Sequence, residues 1–430
     1  MRRRSELVGL SLLIVCLGCG AQTPRASGGP RDDAGSAGPE DAGASLQGDA
    51  ASADAVRVTV TWSNANRQPA AWYATPEAAL IAADVLYYQN ADGGWPKNID
   101  IIARTSPLDR STIDNSATTT ELIYLSLMYR ATSDPLYLNA FNKGLDYLYA
   151  AQYPDNGGWP QIYPSPTLAY HKHITFNDGA MVHVLSLLRD IVNRAVRTQY
   201  AFVDDARAAK AAAALQAGID CILRTQIIVD GVKTGWCAQY DEVTLQPAAA
   251  RAYELVSNSG SEGAGVVQFL MEIDQPAPAI VEAVQAAIAW FNKVQIRGVR
   301  VDSIVDTTQA SGKDTVVIDD PSAPPVWARF YEIGTDRPFF CGRDGIKKYS
   351  LAEIENERRT GYSWYGDWPA ARLRAYASWQ PIWAASQNVL LGPATAGDAG
   401  ADAPEEGAGT GTPPPGDDGG VSDDAADPTD

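Results

Sequence analysis

Between Ala71 and Leu373 the apolar residues fall mostly at the three- and four-residue spacing of helices packed along one face. Thr75-Pro76 reads as an N-cap followed by proline at the first helical position, with Leu80, Asp84 and Tyr87 after it at helical spacing. Asp134-Pro135 repeats the device ahead of Leu138, Phe141, Leu145 and Leu148. Met181, Val184, Leu188 and Ile191 predict a further helix, as do Leu215, Ile219 and Ile222, and then Val281, Val284, Ile288 and Phe291. Alternation of the strand type is sparse, and Arg57 to Trp62 and Arg297 to Val305 are the best cases.

A weak repeat runs through this pattern. QNADGGWP (Gln89 to Pro96), QYPDNGGWP (Gln152 to Pro160) and the segment from Gln226 that ends in TGWC at Cys237 share one plan. Each helix ends in Gln, and a polar, glycine-rich turn leads to Trp95, Trp159 or Trp236. The spacing suits two helices and their loops, so the chain is expected to be mostly α, a series of helical hairpins. Hairpins of this kind close into toroids whose end loops build the site.

The flanks differ from this block. Met-Arg-Arg-Arg, an apolar run from Leu7 to Leu17 and Gly18-Cys19-Gly20 make residues 1–19 a secretory signal, too short to span a bilayer. Cys19 also fits a lipoprotein signal, although Cys16 stands where Leu or Val is usual. Two outcomes stay open: a freely secreted protein, or an outer-membrane lipoprotein anchored through Cys19. Residues 20–55 and 393–430 hold almost no large apolar side chain and are expected to be disordered linker and tail. They carry most of the net charge of −18, since the tail alone has ten acids and no base. The block from 56 to 392, the expected catalytic domain, is only mildly acidic and has no basic surplus that would suit nucleic acid. Its three cysteines, Cys221, Cys237 and Cys341, allow one bridge or, more blandly, buried thiols.

Chemistry gathers in the turns. Trp95, Trp159, Trp236, Trp364, Tyr153, Tyr163, Tyr240 and Tyr365 sit beside glycine or polar residues, which suits stacking on sugar rings; the alternative is that each tryptophan is a core corner. Ile113-Asp114-Asn115 and Asn177-Asp178 are two Asx pairs at helix starts, whose hard oxygen donors suit Ca²⁺, although Asp178 alone would serve as an N-cap. His171 and His173 lack a third ligand in sequence. Arg251, Arg329, Arg337 and Arg343 lie in glycine-flanked, aromatic-rich loops that suit carboxylate binding, or simply ion pairs such as one with Glu254.

Taken together, IDNSATTTE (Ile113 to Glu121), NGGWPQIYP (Asn156 to Pro164), HKHITFNDGA (His171 to Ala180), GWCAQYDE (Gly235 to Glu242), ARAYELVSNSGSEG (Ala250 to Gly263), WARFYEIGTDRPFFCGRDG (Trp327 to Gly345) and GYSWYGDWPAARL (Gly361 to Leu373) resemble the blocks of the family 10 pectate lyases, in the same order. The resemblance implies an (α/α) toroid with irregular loops and a few short strands. It implies β-elimination of de-esterified polygalacturonate with Ca²⁺ as cofactor, by a protein expected to act as a monomer. Arg251 matches the catalytic arginine that takes the C5 proton, and Asp114 and Asp178 match the carboxylates that hold Ca²⁺. Asn115, Glu254, Arg329 and Arg343 match substrate-binding positions, to which Trp159 and Tyr240 are added as sugar contacts. Val256 and Asn258 depart from the family pattern beside Arg251. The rivals are an inverting glycoside hydrolase, using two of Glu121, Glu254 and Asp178, and a polysaccharide-binding protein without activity.

Overall fold

The computed structural model describes residues 57–390, apart from 102, 103, 105, 107, 108 and 166–169. The expected leader, linker and acidic tail lie outside the described residues. Among the described residues ten α-helices follow one another: α1 (Trp62–Ala65), α2 (Pro76–Tyr88), α3 (Thr119–Thr132), α4 (Pro135–Ala151), α5 (Ala180–Val192), α6 (Asp205–Thr225), α7 (Glu262–Met271), α8 (Pro278–Lys293), α9 (Asn356–Thr360) and α10 (Trp368–Trp383). The capping signals are used as read. Thr75 Oγ1 accepts from the Ala78 amide at the head of α2, and Asp134 accepts from Leu136 at the head of α4. Arg57 to Trp62 does not form a strand. Glu77 draws the Thr59 and Val60 amides onto its carboxylate instead, and α1 begins at Trp62.

The helices form two layers of an (α/α) toroid of hairpins. α3 packs on α4 and α5, α5 on α6 and α7, and α7 on α8 and α10. The repeated Gln explains how the other layer holds together. Gln89, Gln152 and Gln226 are the C-caps of α2, α4 and α6. Each donates its amide to a carbonyl of its own turn (Gly93, Gly157, Thr234) and to one of the next helix in the layer (Ala140, Ala214, Ala283), every bond being 2.9 Å long. The repeated Trp does the complementary task. Trp95, Trp159, Trp236 and Trp327 donate their indole N–H to Val85, Leu148, Ile222 and Phe291. Those carbonyls lie in the last turns of α2, α4, α6 and α8, where a helix has no partner of its own to offer.

Close packing completes the corner. A Cβ at Gly144 or Gly218 would strike the ring of Trp95 or Trp159, and at Gly157 (φ +80°) it would overlap the Ala217 carbonyl oxygen. Cys221, Cys237 and Cys341 are buried and free.

The loops that join the layers are tied by two-residue antiparallel ladders: Ile174–Thr175 with Gln239–Tyr240, Asn258–Ser259 with Phe330–Tyr331, and Trp327–Ala328 with Tyr365–Gly366. The one long pairing among the described residues, Val299–Val305 with Lys313–Asp319, is a hairpin whose first strand falls in the second alternating run.

Candidate active site

The chemistry-bearing residues stand just ahead of the helices of one layer. Asp114–Ser116 is a 3₁₀ turn before α3, Asn177–Gly179 is a second before α5, and Ser259 to Ser261 leads into α7. The first two turns pack against each other. Both are strained in the same way. Asn115, Ser116, Thr118 and Asp178 have φ between 47° and 66°, a region that side chains with a Cβ seldom occupy. Such strain persists only where surrounding contacts enforce it, and it gathers at functional sites. Here the Thr118 hydroxyl accepts the Trp95 amide and donates to the Thr112 carbonyl, which locks one turn. A hydrogen bond of 3.0 Å between Ser116 Oγ and His183 Nδ1 joins that turn to α5.

Asp114 is 2% exposed. Its Oδ2 accepts from Lys97 Nζ at 2.8 Å and Gln161 Nε2 at 2.7 Å, and its Oδ1 is buried without a partner. Burial pushes its pKa up, Lys97 opposes this, and the charge of Asp178 adds to the rise. A buried carboxylate oxygen without a partner is costly, and a further cation beside it would relieve that cost. The donors are hard oxygens from two turns, so the residues present fit Ca²⁺. Asp178 caps no helix: its Oδ2 accepts from Asn177 and its Oδ1 from Arg329 Nη2 at 3.0 Å. Asn115 donates to Asn98.

A chain of contacts links this pair to the arginines. Arg329 is buried, and its Nη2 also donates to Glu262 at 2.5 Å, while the Ser259 hydroxyl donates to the other Glu262 oxygen. Its guanidinium lies 4.5 Å from the centre of the Tyr362 ring. The Tyr362 hydroxyl donates to Glu254 Oε1 at 3.0 Å, and Glu254 takes both edges of a fork from Arg251, Nε at 3.0 Å and Nη2 at 2.7 Å. Burial opposes the charges of Arg251 and Arg329, but the adjoining carboxylates outweigh it and raise both pKa values. Burial likewise opposes the Glu254 charge, and Arg251 outweighs it, so that carboxyl is held below its ordinary range.

The structure thus brings Asp114, Asp178, Arg251, Glu254 and Arg329 into one network, sets Asn115 in the turn that carries Asp114, and leaves Arg343 on the rim, half-exposed and paired with Glu357. Three expectations need correction. Trp159 and Tyr240 have no exposed surface and cannot stack on a sugar, because the Trp159 indole serves α4 and the Tyr240 hydroxyl accepts the Cys237 amide. Trp95, Trp236 and Trp364 are likewise core residues. Glu254 is 5% exposed and holds Arg251 rather than meeting substrate. Asn258 donates to Thr234 inside the fold, so its departure from the family pattern is a packing change.

Lys97, Gln161 and Tyr362 belong to the network and were missed by sequence reasoning. Lys97 follows the first Gly-Gly-Trp-Pro turn directly and Gln161 the second, which was the available signal. His173 finds its partners elsewhere, in a group with Asp241 and Glu242 whose ligand atoms lie within 4.8 Å of one another. Lys172 already neutralises Glu242 there at 2.8 Å.

Residues 89–373 match the family model described as pectic acid lyase. No curated protein matches the chain significantly. Among solved structures, a family 10 polysaccharide lyase from Cellvibrio cellulosa is 34% identical, with 74% of this chain and 94% of that one covered and a TM-score of 0.63. An aspartate-to-alanine variant of a family 10 polysaccharide lyase from the same organism, in complex with trigalacturonic acid, is also 34% identical, with 74% and 95% covered and a TM-score of 0.64.

Proposed function

The chain belongs to the pectic acid lyase family and is a polysaccharide-cleaving lyase, and on that premise we propose that it cleaves α-1,4-linked polygalacturonate by Ca²⁺-assisted β-elimination to 4,5-unsaturated oligogalacturonides. The observation that carries the reading is the network from Asp114 through Asp178, Arg329, Tyr362 and Glu254 to Arg251, which sets a carboxylate pair with one unpartnered buried oxygen beside an arginine cluster. That combination suits a substrate with one carboxylate on every sugar. The trigalacturonate held by the Cellvibrio variant supports the same substrate class here.

In the elimination, the C5–H bond breaks, a C4–C5 double bond forms, and the C4–O bond to the leaving chain breaks as that oxygen gains a proton. The C5 proton is only weakly acidic because the neighbouring carboxylate is already negative. Asp114 and Asp178 would hold the metal, and bound Ca²⁺ supplies positive charge at the uronate carboxylate. Arg251 is the residue proposed to take the proton. In the free protein Glu254 works against this, since the fork favours the protonated guanidinium. Substrate binding must therefore loosen that fork or crowd Arg251 with other cations, and an alkaline optimum follows. Buried Arg329 steadies Asp178 and offsets the charge of Glu262.

Of the three carboxylates that a hydrolase could use, Glu254 and Asp178 are tied to arginines and Glu121 is buried at the head of α3, which disfavours an acid–base pair at substrate. Export is part of the proposal, because the polymer is extracellular. The signal read in residues 1–19 is its sequence support, and free release and anchoring through Cys19 both stay open. No helix among the described residues is long and apolar enough to cross a membrane. The test is release of ultraviolet-absorbing unsaturated uronides from polygalacturonate; new reducing ends without that absorbance would mean hydrolysis.

A further inference from the structure

Glu357, the second residue of α9, receives two arginines on one carboxylate. Arg343 donates from Nε and Nη2 at 3.2 Å each. Arg358 donates from Nε at 2.9 and 2.8 Å and also from Nη2. The settings differ: the side chain of Arg358 is 6% exposed, that of Arg343 46% and that of Glu357 53%. Hydrogen bonding from Arg358 pulls the Glu357 carboxyl down to about 2, burial opposing and Arg343 helping, so it is ionised at any working pH.

The arrangement sits beside the proposed catalytic group. The guanidinium of Arg358 lies 4.8 Å from the Tyr253 ring centre and that of Arg251 lies 5.0 Å from the same centre, which puts the two guanidinium carbons within about 10 Å of each other. Arg358 is well fixed, since Trp364 donates its indole N–H to the Arg358 carbonyl at 2.8 Å. Two arginines thus form an anion fork next to Arg251, and the group now filling it is a half-exposed carboxylate. A galacturonate carboxylate is the same planar, singly charged group and matches the same donors. Buried Arg358 needs an anion at all times, but that anion need not be Glu357. Exchange keeps Arg358 paired throughout, and the carboxylate that gives way is half-exposed and regains water.

We propose that Glu357 is an internal competitor for a substrate uronate: in the free protein it occupies the carboxylate position at Arg343 and Arg358, and a free galacturonate carboxylate displaces it on binding. The inference rests on the polygalacturonate reading above and on the substrate role of Arg343. It adds Arg358 to the substrate-binding set, and it makes Glu357 a determinant of affinity that favours de-esterified sugar at this position.

Glu357→Gln keeps the shape and removes the competing charge. On polygalacturonate its KM should fall about two- to fivefold, with kcat altered less than KM, and trigalacturonate should bind more tightly to the same degree in calorimetry. Glu357→Asp keeps a charge beside Arg358 but loses reach to Arg343, and its KM should also fall if the Gln variant does not fold. An unchanged or higher KM in the folded variants would overturn the proposal, as expected of a plain counter-ion to Arg358. Arg343→Gln separates the premises. If it raises KM while the Glu357 variants do not lower it, only the competitor is wrong. If it leaves KM unchanged, the substrate role of Arg343 fails and takes the proposal with it.

Discussion

Replacing Glu121 with Gln should make the protein more stable at neutral pH and flatten the dependence of its stability on pH. Glu121 lies in the first turn of α3, 2% exposed, with Oε2 lacking any hydrogen-bond partner. It borders a cavity of about 150 Å³ that Lys97, Asn98 and Asn115 also line. Burial raises its pKa from 4.5 to about 8, against a smaller opposing effect of the Glu121 and Thr118 backbone. The folded protein therefore keeps this carboxyl protonated through a range in which the unfolded chain ionises it. The folded form is favoured fully below pH 4.5, and that advantage drains away as the pH rises towards 8. By pH 7 the unfolded chain has gained about 3 kcal/mol, at about 1.36 kcal/mol per pH unit. Gln is neutral everywhere and gives the unfolded chain no such gain. With about 330 folded residues, about 3 kcal/mol corresponds to a rise in Tm of about 4 °C. Calorimetric scans of both proteins at pH 5, 7 and 9 would show the gap opening with pH. Parallel curves, or a less stable variant at pH 9, would refute the argument that Glu121 is buried neutral.

Gly157→Ala should cost about 3 kcal/mol or more, because it adds a left-handed penalty at φ +80° to an overlap with the Ala217 carbonyl, and urea unfolding would measure it. Arg251→Ala should lower turnover of polygalacturonate by about 10²–10⁴-fold while circular dichroism stays that of the parent, and substantial activity in the folded variant would remove Arg251 from the reaction.

The helices were legible because their signals are local. Thr75-Pro76 and Asp134-Pro135 cap α2 and α4, and the apolar spacing reports the buried faces. The repeat of Gln and Trp is legible as a pattern, but the pattern leaves a sugar platform and a core corner both open. Glycine-flanked aromatics occur both in binding turns and in tight corners, and only the third dimension shows that the indoles of Trp95, Trp159 and Trp236 serve helix carbonyls. The Asx turns were found because Asp114-Asn115 and Asn177-Asp178 are contiguous in sequence. The contact of Tyr362 with Glu254 spans 108 residues, and that of Arg329 with Glu262 spans 67, so no local pattern could announce them. Arg57 to Trp62 alternates like a strand, but no strand among the described residues pairs with it, and Glu77 takes the Thr59 and Val60 amides instead.

The proposed task of the Asp114–Asp178 pair is to hold Ca²⁺ for an elimination on polygalacturonate. Its most direct test follows ultraviolet absorbance as the purified protein acts on polygalacturonate, first with Ca²⁺, then after exhaustive chelation, then with Ca²⁺ restored. A steady rise, its loss on chelation and its return are expected. Undiminished absorbance in the chelated sample would contradict the metal assignment, and reducing ends formed without absorbance would contradict the elimination itself.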